Sequence, residues 1–200
     1  ISSNSPLRNH LTMHSLNALK NLITKKIGLG EMLDVKNWVN GIVALLASGG
    51  STNLVIHLIA MAQAGGYKIT LEDFAKLSSA VPLICNVYPN GSANVNEFHQ
   101  AGGIAKMLEE LVNAKMLHED VETVMGQGME SFLKSPSIVQ DSLIWEKTPP
   151  PAPNPKIITS CKSPFKTNGG IRFIKGDIAS GIIKVSALKN ENAIISAKAR

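Results

Sequence analysis

The sequence predicts an α/β protein that is helix-rich over its first 147 residues and β-rich near its end. Three features indicate this class. Apolar residues recur at helical spacing in several segments, and a strongly apolar run occupies residues 54–64. Five prolines fall between residues 149 and 155, and short β-branched runs follow them. We therefore predict one domain portion over 1–147, a linker over 148–156 and the start of a second, β-rich domain over 157–200.

The helices of the first portion follow from periodicity and from capping residues. Ser5 before Pro6 is typical of a helix start, because proline suits the first helical position. Thr70 followed three residues later by Asp73 resembles a capping box. The predicted helices cover residues 6–28, 31–40, 54–64, 70–77, 97–101 and 104–115.

Residues 41–66 are the centre of the prediction. The run at 54–64 is apolar on nearly every face of a helix, which indicates a helix buried in the middle of a domain. Two glycines precede it, and Ser51, Thr52 and Asn53 are all good N-cap residues. Free backbone N–H groups at such a start favour an anion, a phosphate or a carboxylate. The competing interpretation is that these residues only cap the helix.

A buried strand or extended segment is predicted at residues 83–88, which are rich in apolar and β-favouring side chains. A turn follows, since proline, Asn90 and Gly91 suit turn geometry. Polar turns after buried strands often contact ligands in α/β proteins, so Asn90 is a candidate substrate contact. A plain structural turn is the alternative.

Other residues that could carry chemistry have simpler interpretations. Cys85 lies in an apolar run, where a buried and inert thiol is expected, and Cys161 is far from it in sequence. His10 and His14 are spaced to share a metal but have no third ligand nearby, which favours a solvated face. A hydrated loop is likewise expected for the acidic segment His118, Glu119, Asp120 and Glu122.

Composition limits the partners and the location. The net charge is +5, from 20 Lys+Arg against 15 Asp+Glu, and the basic residues are scattered. Nucleic-acid binding needs a clustered basic face, so we expect no such partner. No apolar run reaches the roughly 18 residues of a membrane helix and no signal peptide is evident, so we expect no membrane contact and a cytoplasmic protein. The chain begins on Ile1 and ends at Arg200, which we interpret as a piece of a longer protein.

The second portion has a different pattern. Short β-branched runs at residues 171–174 and 182–185 predict a hairpin, and residues 193–196 are a possible third strand. About 45 residues with few aromatic side chains would not fold alone. We expect them to be the first strands of a larger domain.

Several of these segments together resemble the dihydroxy-acid and sugar-acid dehydratase family. The similar segments run in family order along nearly the whole chain: Gly49-Gly50-Ser51-Thr52-Asn53, His57-Leu58, Ala101-Gly102-Gly103-Ile104, Leu117-His118, Lys175-Gly176-Asp177 and Ile183-Lys184-Val185-Ser186-Ala187. Three further segments are similar to the branch acting on 6-phosphogluconate: Asn4-Ser5-Pro6-Leu7-Arg8, Tyr88-Pro89-Asn90-Gly91 and His118-Glu119-Asp120-Val121.

The resemblance implies a fold, an activity and a cofactor. The fold is a three-layer α/β N-terminal domain followed by a swivelling β/β/α domain, assembled as a homodimer. The activity is that of a hydro-lyase converting 6-phosphogluconate, a small anionic sugar acid, to 2-keto-3-deoxy-6-phosphogluconate in the Entner–Doudoroff route. The cofactor is an iron–sulfur cluster, of the 4Fe-4S type, whose open iron acts as a Lewis acid.

The resemblance does not place catalytic or metal-binding residues in this chain. The family's cluster cysteines sit in Gly-x-Cys-Asp-Lys and Gly-Thr-Cys motifs, neither of which occurs here, and its serine base lies beyond Arg200. The candidate substrate residues are Ser51, Thr52, Asn53 and Asn90, and the chain by itself should be inactive. Two alternatives remain open. One is a dihydroxy-acid dehydratase of branched-chain amino-acid synthesis, and the other is a non-catalytic helical binding domain.

Overall fold

The computed structural model describes residues 4–146 and 154–188. Seven α-helices cover most of the described chain up to residue 113. They are α1 Pro6–Lys25, α2 Leu29–Met32, α3 Val35–Ser48, α4 Thr52–Ala64, α5 Leu71–Ala80, α6 Val95–Gln100 and α7 Gly103–Asn113. None of the helices in these residues is long and apolar enough to cross a bilayer.

Three antiparallel strand pairs complete the described structure. They are β1 Glu122–Thr123 with β2 Gly126–Gln127, β3 Ser135–Val139 with β4 Ser142–Glu146, and β5 Ile171–Lys175 with β6 Ser180–Lys184. Short 3₁₀ turns lie at Glu130–Leu133 and Val185–Ala187. The predicted α/β class is confirmed. The predicted 171–185 hairpin is present as β5 and β6, whereas β3 and β4 were not predicted.

Helix α3 is the central helix of the core. Seven of its residues are buried: Trp38, Asn40, Ile42, Val43, Leu45, Leu46 and Ala47. The prediction of a separate helix over 31–40 is wrong, because Asp34 starts a new helix there. Its carboxylate accepts the Asn37 N–H at 3.0 Å, and the Asn37 side-chain oxygen accepts the Asp34 N–H at 3.1 Å. This reciprocal cap begins α3, and the helix then continues unbroken to Ser48.

The predicted burial of α4 on all sides is also wrong. Only Val55, Leu58 and Ala62 are buried, at the three- and four-residue spacing of a single packed stripe. Ile56 is 64% exposed and Met61 is 51% exposed. Each of these two apolar side chains is therefore largely uncovered by the residues described here.

An extended segment at residues 81–87 lies between α3 and the residues that follow the proline-rich stretch. Its backbone bonds to α3 through the Ile84 N–H and the Ala47 carbonyl, 2.9 Å apart. On its other edge, the Leu83 N–H donates to the Lys166 carbonyl at 2.9 Å. The buried extended segment that the sequence predicts at 83–88 is therefore present, and its partners come from both sides of the proline-rich stretch.

Residues beyond 154 share the core of the helices. Ile158 and Ile171 belong to the same buried cluster as α3, α5 and α7. The buried Ser78 hydroxyl on α5 donates to the Ile171 carbonyl at 2.8 Å, and the Ile171 N–H donates back at 3.3 Å. Most of the predicted linker and all of the possible strand at 193–196 lie outside the described residues, so the division into domains stays a prediction.

Candidate functional site

The start of α4 is an exposed corner that we call the α4 corner, made of Ser51, Thr52 and Asn53. The Ser51 hydroxyl accepts the Asn53 N–H at 3.2 Å, which confirms Ser51 as the N-cap residue. Ser51 and Asn53 are exposed and Thr52 is half-buried. The N–H groups of Ser51 and Thr52 have no hydrogen-bond partner among the described residues. Two backbone donors at the positive end of a 13-residue helix are thus unpaired in the described structure.

Gly49 ends α3 immediately before this corner. Its φ of +63° is left-handed, and its N–H donates to the Leu46 carbonyl at 3.2 Å. A Cβ at this position would overlap the Asn90 amide and would lie 2.8 Å from Leu83 Cδ1. Both the backbone conformation and the close approach of Asn90 therefore require glycine here.

Asn90 lies in the predicted turn, and both ends of its amide contact protein. Its Nδ2 donates to the Gly49 carbonyl at 2.7 Å, and its Oδ1 accepts the Ser186 hydroxyl at 2.6 Å. The structure therefore brings the Asn90 amide to the carbonyl of Gly49, two residues before the α4 corner. Each end of the amide retains further hydrogen-bonding capacity.

Lys184 brings a positive charge to the same carbonyl. Its ammonium group donates to the Gly49 oxygen, and burial lowers the pKa of Lys184 below its usual 10.5. No carboxylate of the described residues offsets this burial. Asn90, Lys184 and Ser186 together form what we call the Gly49 clamp. The clamp holds a partly buried ammonium group on the carbonyl of Gly49, two residues before the α4 corner, and positive charge attracts anions.

Sequence reasoning did not assign Lys184 and Ser186 to a site. Both lie in Ile183-Lys184-Val185-Ser186-Ala187, a segment that carried the family resemblance, so that resemblance was the available signal. Their role depends on contacts across 135 residues for Lys184 with Gly49 and 96 residues for Ser186 with Asn90. Local patterns do not report contacts at that separation.

The histidines and the acidic segment have structural partners. His10 lies 3.5 Å from Asp141 of the β3–β4 turn, and the His14 ring packs at a tilt against Trp145. The His118 backbone exchanges two hydrogen bonds with the buried Asn40 side chain, and Asp120 pairs with Lys36. These contacts join α1 to the hairpin and hold the 118–122 loop against α3.

The two cysteines do not fit an iron–sulfur ligand set. Cys85 is fully buried in the aliphatic core, and burial raises the pKa of its thiol to about 12. Cys161 is half-buried, burial also raises its pKa, and its Sγ lies 3.7 Å from the Glu110 carbonyl. Cluster ligands are thiolates, which both environments disfavour. No group of three or more Cys, His, Asp or Glu residues in the described chain could hold a metal ion.

Comparison with known proteins gives one family throughout. Residues 1–132 match the family model for the dihydroxy-acid/6-phosphogluconate dehydratase N-terminal domain. The whole chain is 40% identical over 206 residues to the phosphogluconate dehydratase of Escherichia coli and 36% identical over 203 residues to that of Pseudomonas aeruginosa. A dihydroxy-acid dehydratase of Sulfurisphaera tokodaii is 37% identical over 174 residues, which is 86% of this chain.

The chain spans about a third of the length of these relatives, 34% of the Escherichia coli protein and 33% of the Pseudomonas aeruginosa protein. The family model covers residues 1–132, well over half of the chain, and therefore includes α1 to α7 and the α4 corner. This chain belongs to the dihydroxy-acid/6-phosphogluconate dehydratase family.

Proposed function

We propose that this chain is part of a hydro-lyase that dehydrates 6-phosphogluconate to 2-keto-3-deoxy-6-phosphogluconate, a step of the Entner–Doudoroff pathway. The observation that carries the proposal is the α4 corner, where two unpaired backbone N–H groups follow the Gly49 carbonyl that accepts from the partly buried Lys184. A sugar acid with a carboxylate and a phosphate supplies the negative charge that such a corner attracts. The names of the relatives with 36–40% identity favour this substrate.

In this proposal Ser51, Thr52 and Asn53 bind the substrate. The backbone N–H groups of Ser51 and Thr52 donate to an anionic oxygen, and the exposed Asn53 amide is placed to contact a hydroxyl or a carboxylate. Asn90, the fourth proposed substrate residue, borders the same corner through the Gly49 carbonyl. These residues bind and orient the sugar acid, and no proton transfer is assigned to them.

The reaction itself needs groups from elsewhere in the protein. Dehydration removes a proton from C2 and a hydroxyl from C3, so that water leaves and the enol product tautomerises to a keto acid. The chemistry of Cys85 and Cys161 does not fit an iron–sulfur cluster. We therefore place the ligands of any cluster, and the base, outside this chain. Metal analysis of a Cys85→Ser and Cys161→Ser double variant should show an unchanged iron content in the complete protein.

We place a domain boundary in the proline-rich segment 148–156, with the helical portion before it and the start of a β-rich domain over 157–200. Limited proteolysis of the complete protein should cut within this segment if the boundary is correct.

We also propose a cytoplasmic homodimer, which light scattering and cell fractionation would test. A monomeric mass or a membrane-bound fraction would contradict it.

The second candidate substrate is a branched-chain dihydroxy acid, favoured by the 37% identity to the dihydroxy-acid dehydratase of Sulfurisphaera tokodaii. The two substrates differ in that only 6-phosphogluconate carries a phosphate. The complete protein should turn over 6-phosphogluconate with a kcat/KM at least about a hundredfold higher, since binding of a charged group contributes several kcal/mol. A preference for the branched-chain substrate would overturn the proposed activity.

The binding role of the α4 corner is tested by replacing Asn53 with alanine. We expect Asn53→Ala to raise the KM for 6-phosphogluconate by roughly tenfold, because one hydrogen bond to a charged group is worth about 1.5–3 kcal/mol. Gln63→Ala is the matched control, since Gln63 is an exposed amide at the other end of α4. Equal KM values for the two variants and the parent would remove Asn53 from the site.

A further inference from the structure

Gly49, the residue that the clamp holds, lies two residues before the α4 corner. Gly49 is the point at which α3 ends, and its peptide sets the direction in which the chain enters α4. The clamp fixes that peptide with two donors on one carbonyl oxygen, from Asn90 and from Lys184. A shift of the Gly49 peptide would therefore move the N–H groups of Ser51 and Thr52.

We propose that Lys184 and Ser186 are positioning residues for the substrate, acting through Asn90 and Gly49 on the α4 corner. This inference rests on the proposed substrate role of residues 51–53. Lys184 and Ser186 lie beyond the proline-rich segment, so the second portion of the chain sets the geometry of a binding corner in the first. Neither residue needs to touch the substrate for this role.

Ser186 is held firmly enough to transmit position. It is 5% exposed, its N–H donates to the Gly170 carbonyl at 3.1 Å, and its carbonyl lies 3.4 Å from the Lys166 ammonium. Gly170 has a φ of +73°, and a Cβ there would overlap the Ser186 side chain. Ser186 is therefore held by contacts with Gly170 and Lys166 that are independent of its hydrogen bond to Asn90.

The clamp exceeds what capping of α3 requires. A carbonyl at a helix end needs one donor, and at the buried Gly49 the protein has to supply it. Here the Gly49 oxygen receives two donors from distant segments, and one of them is a lysine whose burial is unfavourable. A partly buried ammonium group that donates to this carbonyl is consistent with a role in holding the corner in place.

The test uses the complete protein with 6-phosphogluconate as substrate. We expect Ser186→Ala to raise KM by roughly tenfold while kcat changes by less than about twofold, because binding geometry is lost and the reacting groups are untouched. Lys184→Met should also raise KM, whereas Lys184→Arg should retain a KM near that of the parent. Ser163→Ala and Lys162→Met are the controls, since both residues are exposed.

A double-mutant cycle separates positioning from simple stabilisation. If the clamp acts through the α4 corner, a shift of the corner also moves the Asn53 side chain, so Ser186→Ala should raise KM less in an Asn53→Ala background than in the parent. An equal rise in both backgrounds, or a lower melting temperature with an unchanged KM for Ser186→Ala and Lys184→Met, would overturn the clamp proposal. A normal KM for Asn53→Ala itself would instead overturn the proposed site, so the two failures are distinguishable.

Discussion

The Cys85 thiol lies in the aliphatic core, where burial raises its pKa to about 12 and the neighbouring Cys161 adds a smaller effect in the same direction. The thiolate is the form that alkylating reagents attack. We therefore expect Cys85 in the folded protein to resist iodoacetamide at about pH 8, close to the pKa of a free thiol. The half-buried Cys161 should be labelled first.

Mass spectrometry of the digested protein measures the two labelling rates separately. Denatured protein is the control, since both thiols should then react at similar rates. Labelling of Cys85 as fast as Cys161 in the folded protein would contradict the burial on which the poor fit to a cluster ligand depends.

For Asn90, the sequence predicts the local conformation but not the contacts of the side chain. Its place in a turn after a buried extended segment was predictable, because Asn and Gly suit turns. The two partners of its amide, Gly49 and Ser186, were not predictable, since they lie 41 and 96 residues away in the chain. The residue type indicated a turn, whereas the contacts of its side chain are known only from the folded structure.

At the scale of an element, the cap of α5 gives a prediction about pH. The Thr70 N–H and hydroxyl both donate to the Asp73 carboxylate, at 2.9 and 2.8 Å, and lower its pKa below the usual 3.8. Asp73→Ala should therefore reduce the free energy of unfolding by about 1 kcal/mol at neutral pH. Because the folded pKa is lowered, this contribution is complete above pH 3.8 and is lost as pH falls through the folded value.

Thermal unfolding of the parent and of Asp73→Ala, compared at several pH values, measures this effect. The difference in midpoint should be constant near neutrality and should shrink in acid. Glu72→Ala is the control, since Glu72 is exposed and lies 3.9 Å from the Lys175 ammonium, a separation typical of weak surface pairs. A midpoint difference that persists unchanged in strong acid would contradict the cap.

Elements with local signals were predictable and elements without them were not. The Thr70–Asp73 box and the β5–β6 hairpin follow from patterns a few residues long. The β3–β4 hairpin lacks an Asn-Gly or Asp-Gly turn, and its turn instead holds Gln140 and Asp141 at positive φ. The burial of α4 was mispredicted because an apolar run does not specify which neighbour covers each face.

At the scale of the whole molecule, two helices carry large apolar side chains that the described chain leaves exposed. Met13, Leu16, Leu19 and Ile23 form an exposed stripe on α1, and Ile56 and Met61 are exposed on α4. Apolar surface of this kind is unfavourable in water. This exposure is consistent with a chain that spans 33–34% of the length of its relatives.

The buried core nevertheless contains residues from both sides of the proline-rich segment. We therefore expect the two parts of the chain to unfold cooperatively. Ile171 on β5 is 1% exposed and joins the core of α3 and α5, whereas Ile174 on the same strand is 48% exposed. Ile171→Ala should cost about 2–5 kcal/mol of local stability through the cavity it leaves. Because Ser78 of α5 bonds to the Ile171 backbone, the loss should spread to the helices.

Hydrogen exchange followed by mass spectrometry of the complete protein measures that spread. In Ile171→Ala, amide exchange should accelerate by roughly 30-fold or more in peptides covering α3 and α5, as well as in β5. Ile174→Ala should leave α3 and α5 unchanged, since its side chain is half-exposed and is not part of the buried cluster. Acceleration confined to residues 157–188 would mean that the helices are stable without this strand. The Gly49 clamp would then have to hold the α4 corner without support from a shared core.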